Sequence, residues 1–244
     1  MEIHYGFDKL PSTLRSVVTV GSFDGVHEGH RTLLRRLQSM ASALSAESVV
    51  VTFDPHPRIA MGRAEGMPLL TSVEERAWLL ERYGVDRLVV ARFDDKFRGQ
   101  SFEEFVRGSL VAKLGMVGMV VGYNHRLGRG NEGNYDSLKP LGLELGFELE
   151  RVEQYTDLGD KVSSTVVRGL LERGEAERAR QIMGHPYIIM GHLQGGVLCI
   201  EDEYKLLPCD GTYCAVVNGI SQSIEVRGRE IRVESDDRDI IIEL

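Results

Sequence analysis

Val17-Val18-Thr19-Val20-Gly21-Ser22-Phe23-Asp24-Gly25-Val26-His27-Glu28-Gly29-His30 is the stretch that decides the fold. A β-branched run enters a turn punctuated by glycines. The residues that follow, 30–44, carry Leu33, Leu34, Leu37, Met40, Ala41 and Leu44 at helical spacing. Strand, tight turn and helix in direct succession predict the first unit of a parallel sheet. Further short runs lie at Val49–Phe53, Arg87–Val90 and Val117–Val121, continuous rather than alternating, as strands covered on both faces require. Between them, Ser72-x-x-Glu75 and Ser101-x-x-Glu104 read as capping boxes opening helices that stop at Gly84 and Gly115. The expected body is an α/β, doubly wound parallel sheet with ligands at the carboxyl ends of its strands.

The pattern changes near Gly184-His185-Pro186, where a helical period meets a glycine and then a proline. Beyond it, Val197–Ile200, Tyr213–Val217, Ser223–Val226, Glu230–Val233 and Ile240–Leu244 predict a small antiparallel β domain, a partial barrel. The expected domains are therefore 1–184 and 185–244. Charge follows the same division. Residues 185–244 hold 5 Lys and Arg against 11 Asp and Glu, and residues 1–184 hold 24 against 26.

With 244 residues, 42% hydrophobic and 27% charged, the chain has ordinary globular composition. Its net charge of −8 argues against nucleic acid or an anionic membrane as a partner. No apolar run approaches the roughly 18 residues of a membrane helix. The opening MEIHYGFDKL has neither the basic start nor the apolar stretch of a signal peptide, and the expected location is cytoplasmic. Cys199, Cys209 and Cys214 show no metal-ligand spacing and are expected to be small buried hydrophobes.

The chemistry gathers at the strand ends. Glycines 21, 25 and 29 let backbone approach a ligand, and a helix N-terminus offers free N–H groups to an anion. His27 and His30, three apart, share a face of the first turn and suit a phosphoryl oxygen and its leaving group. No Gly-Lys-Ser/Thr follows, so this is not a P-loop, and no third ligand suggests a metal. Thr52-Phe53-Asp54-Pro55-His56-Pro57 reads as a rigid extended loop, and Gly122-Tyr123-Asn124-His125-Arg126 adds polar and cationic groups. Ser163-Ser164-Thr165-Val166-Val167-Arg168 puts three hydroxyls and an arginine at a helix start. N-capping explains one hydroxyl, and the whole set suits a polyphosphate.

Taken in order, GSFDGVHEGH resembles the HxGH signature of the nucleotidylyltransferases. TFDPHP, the stretch from Pro68 to Asp94, SFEEFV, VGYNHRLG and VSSTVVR all resemble the bacterial FAD synthetase family. That family joins FMN adenylyltransferase to riboflavin kinase, and the resemblance spans roughly residues 15–187. It implies a Rossmann-like sheet and transfer of AMP from ATP to FMN with Mg2+, giving FAD and pyrophosphate. His27 and His30 would bind the triphosphate, and Ser163, Ser164, Thr165 and Arg168 would hold its β- and γ-phosphates. By the same resemblance, His27, His30, Ser164 and Arg168 are the catalytic set. Gly21, Ser22, Phe23 and Gly25 would shape the ATP side; Phe53, Asp54, His56, Asn124 and Arg126 would serve FMN. MGHPYIIMGHL and LLPCDGTYCAVVNG resemble the kinase barrel. The family's Gly-x-Pro-Thr-Ala-Asn motif has no counterpart in residues 194–206, which implies a kinase module without its activity. Another phosphorylated acceptor, a non-catalytic flavin- or nucleotide-binding role, and a retained kinase stand as alternatives.

Overall fold

The computed structural model describes residues 1–12, 14–62, 67–157 and 160–244. The elements of the first part are β1 (Glu2–Tyr5), β2 (Ser16–Val20), α1 (Glu28–Ala43), β3 (Glu47–Asp54), α2 (Pro57–Ala60), α3 (Val73–Arg82) and β4 (Arg87–Arg92). Next come α4 (Asp95–Gly99), α5 (Phe102–Phe105) running into a π-helical turn at Val106–Val111, β5 (Met116–Gly122), α6 (Tyr135–Leu145) and β6 (Glu148–Val152). A two-stranded ribbon of β7 (Thr156–Asp157) and β8 (Asp160–Lys161) precedes α7 (Ser164–Glu172) and α8 (Ala176–Met183). The remaining strands are β9 (Ile188–Gln194), β10 (Val197–Cys199), β11 (Gly211–Val217), β12 (Ile220–Arg227), β13 (Glu230–Arg232) and β14 (Asp239–Glu243).

These elements form two compact units. One comprises Met1–Phe23, His30–Glu65 and Leu80–Gln154; the other comprises Asp24–Gly29, Gly66–Leu79 and Tyr155–Leu244. The first unit holds a six-stranded, wholly parallel sheet in the order β1-β4-β3-β2-β5-β6. Its inner strands are the four read from the sequence, and β2 is buried at every position. Val18 lies opposite Val49 on one side and Met119 on the other, so the β-branched runs stack into one core. The two strands that sequence reading did not find, β1 and β6, are the sheet's edges. Both are mostly solvent-accessible and carry charged residues, so neither reads as an apolar run. Both predicted capping boxes form: Ser72 and Glu75 exchange backbone-to-side-chain bonds of 2.9 and 3.2 Å, and so do Ser101 and Glu104, at 2.8 and 3.2 Å.

In the second unit the six strands β10-β13-β12-β11-β14-β9 close into an antiparallel barrel. The expectation of a partial barrel is corrected here: Leu193, Gln194 and His192 of β9 pair with β10, and Gln194 lies opposite Val197. The alternation of β11 explains closure around an apolar interior. Ala215 and Val217 point inward with Ile224, Val226, Ile231 and Ile240. Cys214 falls on the opposite face, and Cys199 and Cys209 are also exposed, so the expectation of three buried cysteines is overturned. The helical stop at Gly184 is present, with the glycine left-handed at φ 76° after α8. Among the described residues no helix is long and apolar enough to cross a membrane.

Candidate active site

In the first unit the strand order reverses between β2 and β5, since β3 lies on one side of β2 and β5 on the other. Ligand crevices of doubly wound sheets open at the carboxyl ends beside such a reversal. There β2 delivers Gly21, Ser22 and Phe23. Thr52 at the end of β3 donates its hydroxyl to Ser22 O at 3.1 Å, which ties the two strand ends together. The Phe23 ring is buried and lies 5.0 Å, centroid to centroid, from His30 in the first turn of α1.

The residues predicted for the flavin side spread over the end of β3 and the loop after β5. Phe53 is a core residue, with Phe93 and Phe97 edge-on at 5.5 Å. Asp54 is exposed. The rigid extended loop expected at 54–57 is instead a cis Asp54–Pro55 peptide followed at once by α2, because His56 caps that helical turn by accepting from Arg58 N at 3.2 Å. After β5, Asn124 and Arg126 are exposed, and Arg126 donates to His125 O at 3.3 Å. Sequence reading quoted His125 in this segment but gave it no role of its own. Its Nε2 is buried without a hydrogen-bond partner among the described residues. Burial and the neighbouring Arg126 cation push its pKa down to about 4, so the ring is neutral at physiological pH.

The second unit contains a residue that sequence reading quoted but gave no role. Asp24, 2% exposed, sits at the centre of a hydrogen-bonded cluster. Its Oδ1 accepts from the backbone N–H of Leu70 at 2.8 Å and of Thr71 at 3.0 Å. Its Oδ2 is paired with the Arg168 guanidinium, which also donates from Nε to Pro68 O at 2.7 Å. The Ser164 hydroxyl donates to the backbone carbonyl of Asp24 at 2.9 Å, and Thr71 Oγ1 accepts from Gly25 N at 3.0 Å. Two of the residues predicted at the α7 start, Ser164 and Arg168, are thus drawn together with the Asp24 loop. Ser163 is the N-cap of α7, accepting from Val166 N at 3.4 Å, and Thr165 is exposed. An aspartate between two glycines of the loop was the available signal for Asp24, but only the fold supplies its partners.

His27 immediately precedes α1. Desolvation lowers its pKa to about 4, opposed by the Asp24 carboxylate and assisted slightly by His185. It is therefore a neutral imidazole at physiological pH, able to donate one N–H without carrying charge. The glycine between the two histidines has a steric reason. A Cβ on Gly29 would lie 3.2 Å from the His27 Nδ1 and Cε1 atoms, tighter than ordinary contact. Gly25 adopts φ 81°, a left-handed conformation that a side chain disfavours, and a Cβ there would come within 2.6 Å of Leu70. His185, also overlooked, reaches back from the end of α8 with Nε2 3.0 Å from Gly25 O.

The cluster is built around the buried Asp24 carboxylate, which takes up Arg168 and two backbone N–H groups, with a neutral imidazole and the Ser164 and Thr71 hydroxyls beside it. Among the described residues no three His, Cys, Asp or Glu are grouped to hold a metal ion. A cavity of about 460 Å³, lined by Glu177, Arg180, Cys214, Gln222 and Glu243 among others, contains none of the predicted site residues.

Residues 10–166 match the FAD synthetase family. The chain is 33% identical over 216 residues to the bifunctional riboflavin kinase/FMN adenylyltransferase of Escherichia coli (strain K12), covering 84% of this chain and 69% of that protein. It is 33% identical over 202 residues to an FAD synthetase of Listeria monocytogenes, covering 81% of this chain and 80% of that one. A solved structure described as a macrolide-efflux protein from Streptococcus pneumoniae superposes with a TM-score of 0.84 at 22% identity, over 100% of this chain and 90% of that chain, a likeness of fold.

Proposed function

This chain belongs to the FAD synthetase family and is a nucleotidyltransferase, and on that premise we propose that it is an FMN adenylyltransferase that does not phosphorylate riboflavin. An oxygen of the FMN phosphate forms a bond to the α-phosphorus of ATP. The bond from that phosphorus to the oxygen bridging to the β-phosphate breaks, and the electron pair leaves with pyrophosphate. A phosphate dianion is already a usable nucleophile, so the chain needs to supply position and charge stabilisation rather than a covalent intermediate. ATP enters as its Mg2+ complex, the ion travelling on the phosphates as part of the substrate.

The observation that carries the proposal is the convergence of the His27 loop and the α7 N-terminus, with Arg168, on Asp24. His27, neutral, would donate to oxygen atoms that gain charge as the α-phosphorus is attacked; His30 would act beside it on the triphosphate. Ser163, Ser164, Thr165 and Arg168 would receive the β- and γ-phosphates at the start of α7. Gly21, Ser22, Phe23 and Gly25 would border the adenosine. Phe53, Asp54, His56, Asn124 and Arg126 would serve the flavin, with Phe53 acting by shaping the strand end rather than by contact.

For the domains, we assign transfer to 1–184 and a kinase-derived β domain to 185–244. Two features support the loss of kinase activity. No Pro-Thr pair exists anywhere in the chain, and the tail is strongly acidic, which disfavours ATP phosphates. The proposed setting is the cytoplasm, where ATP and FMN are available. The test is a product assay in which the chain, ATP and Mg2+ are offered FMN or riboflavin and the flavins are separated by chromatography. FAD from FMN and no product from riboflavin is expected. FMN or FAD from riboflavin would overturn the kinase reading, and no FAD from FMN would overturn adenylyl transfer to this acceptor.

A further inference from the structure

Lys205 lies between β10 and β11, and its side chain is 0% exposed. All three of its ammonium donors are used. Nζ donates to Glu75 Oε2 at 2.6 Å, to Leu70 O at 2.7 Å and to Ile188 O at 2.6 Å, and the Tyr187 ring centroid lies 4.2 Å away. Glu75 is equally enclosed and accepts from Ser72 N and Met190 N, both at 2.9 Å. Burial pushes the Lys205 ammonium below its usual range and the Glu75 carboxyl above its own, while their mutual attraction opposes both shifts. Buried ion pairs are poor sources of stability compared with apolar packing, so what this pair holds in place is the more informative question.

It holds residues 68–71. The Leu70 carbonyl faces Lys205, while the Leu70 N–H donates to Asp24. Leu69 forms a parallel bridge with Lys205: Leu69 N donates to Tyr204 O at 2.6 Å and Leu206 N donates to Leu69 O at 2.7 Å. Pro68 O accepts from Arg168 Nε, and Thr71 N, like Leu70 N, donates to Asp24 Oδ1. Leu69 and Leu70 are thus clamped to the 204–206 segment, and Pro68, Leu70 and Thr71 in turn hold Arg168 and Asp24.

We propose that Lys205 is a positioning residue for nucleotide binding, acting through the 68–71 peptide to fix Asp24 and Arg168, so that the C-terminal barrel serves the transfer site without binding substrate. This rests on the adenylyl-transfer reading above. Coupling within one hydrogen-bonded network is expected to be felt at ATP and not at FMN.

The test compares the unaltered chain with Lys205→Met and with the double variant Glu75→Gln/Lys205→Met. Three quantities are measured: melting temperature, the Kd of a non-hydrolysable ATP analogue by calorimetry, and KM and kcat for FAD formation. The single variant leaves Glu75 without its counter-ion and is expected to melt lower. The double variant is expected to recover melting temperature and yet bind the ATP analogue roughly tenfold more weakly, with KM for ATP rising alike and KM for FMN within about twofold. Recovery of ATP affinity together with stability would show a merely structural role and overturn the proposal. So would equal losses for ATP and FMN. In the unaltered chain, the Leu70 and Thr71 amides should exchange more slowly with solvent deuterium when the analogue is bound; unchanged exchange also overturns it. If the unaltered chain makes no FAD, adenylyl transfer falls separately, and the analogue affinities still decide the role of Lys205.

Discussion

Asp24 carries no chemistry of its own in the proposed reaction, yet it determines where Arg168, Ser164 and the His27 loop stand. A carboxylate there accepts two backbone N–H bonds and an arginine at once; an amide cannot offer the same two acceptor oxygens. Asp24→Asn should therefore lower stability by about 3 kcal/mol, the order seen when one partner of a buried pair is lost, and weaken ATP binding more than FMN binding. Denaturant unfolding and separate KM values check this. His27→Ala should lower kcat by about 10²-fold or more if the imidazole donates to developing charge, and near-normal turnover would remove His27 from the reaction. The histidines also predict a pH dependence of stability. His27 and His125 titrate at about 4 in the folded chain against a reference of 6.5. Between those values the unfolded chain binds more protons, so their contribution is complete above pH 6.5 and is lost as pH falls toward 4. The expected loss is about 2 kcal/mol per histidine by pH 5, measured as the difference in unfolding free energy between pH 7 and pH 5. His27→Gln should remove its share of that difference. At this scale the sequence shows which residue types are present, and the HxGH spacing is legible. The neutrality of the two imidazoles is not, because desolvation depends on what surrounds them.

At the scale of elements, local chemistry and structure agree most closely where the signal is short-range. The Ser101 capping box sits at an exposed helix start, so Ser101→Ala should cost about 1 kcal/mol in unfolding free energy and leave KM for both substrates unchanged. Gly25 is different, because its left-handed φ and the nearby Leu70 belong to the nucleotide loop itself. Gly25→Ala should cost about 1–2 kcal/mol and also raise KM for ATP, a pairing of effects the helix cap does not produce. The inner strands β2 to β5 were legible because burial on both faces makes them continuous apolar runs. The edge strands β1 and β6 were not, because a strand with one accessible side carries the charges of a surface. The loop at 54–57 was misjudged for a related reason: two prolines suggest extension, but the His56 ring supplies the missing cap and a helical turn begins at Pro57.

At the scale of the whole molecule, the acidic C-terminal segment closes into a barrel, and its deeply buried Lys205 is satisfied entirely by protein groups. Removing that cation alone strands a carboxylate in an apolar interior, so Lys205→Met should destabilise by about 3–5 kcal/mol, and the double variant with Glu75→Gln by much less. Thermal or denaturant unfolding of both variants reads the difference. The sequence by itself determined the parallel α/β body, the helix starts, the HxGH turn, the Ser-Ser-Thr-x-x-Arg set and the change to antiparallel strands after Gly184. Each of these rests on residues within a turn or two of one another, where propensity, period and capping act directly. Only the tertiary structure decided that the barrel closes, that the cysteines face solvent, and that Asp24 joins residues 68–71 to Arg168. Those outcomes depend on pairing between segments far apart in sequence, 46 to 144 positions for the contacts of Asp24, and burial, which sets both charge state and hydrogen-bond partners, exists only once such segments have met.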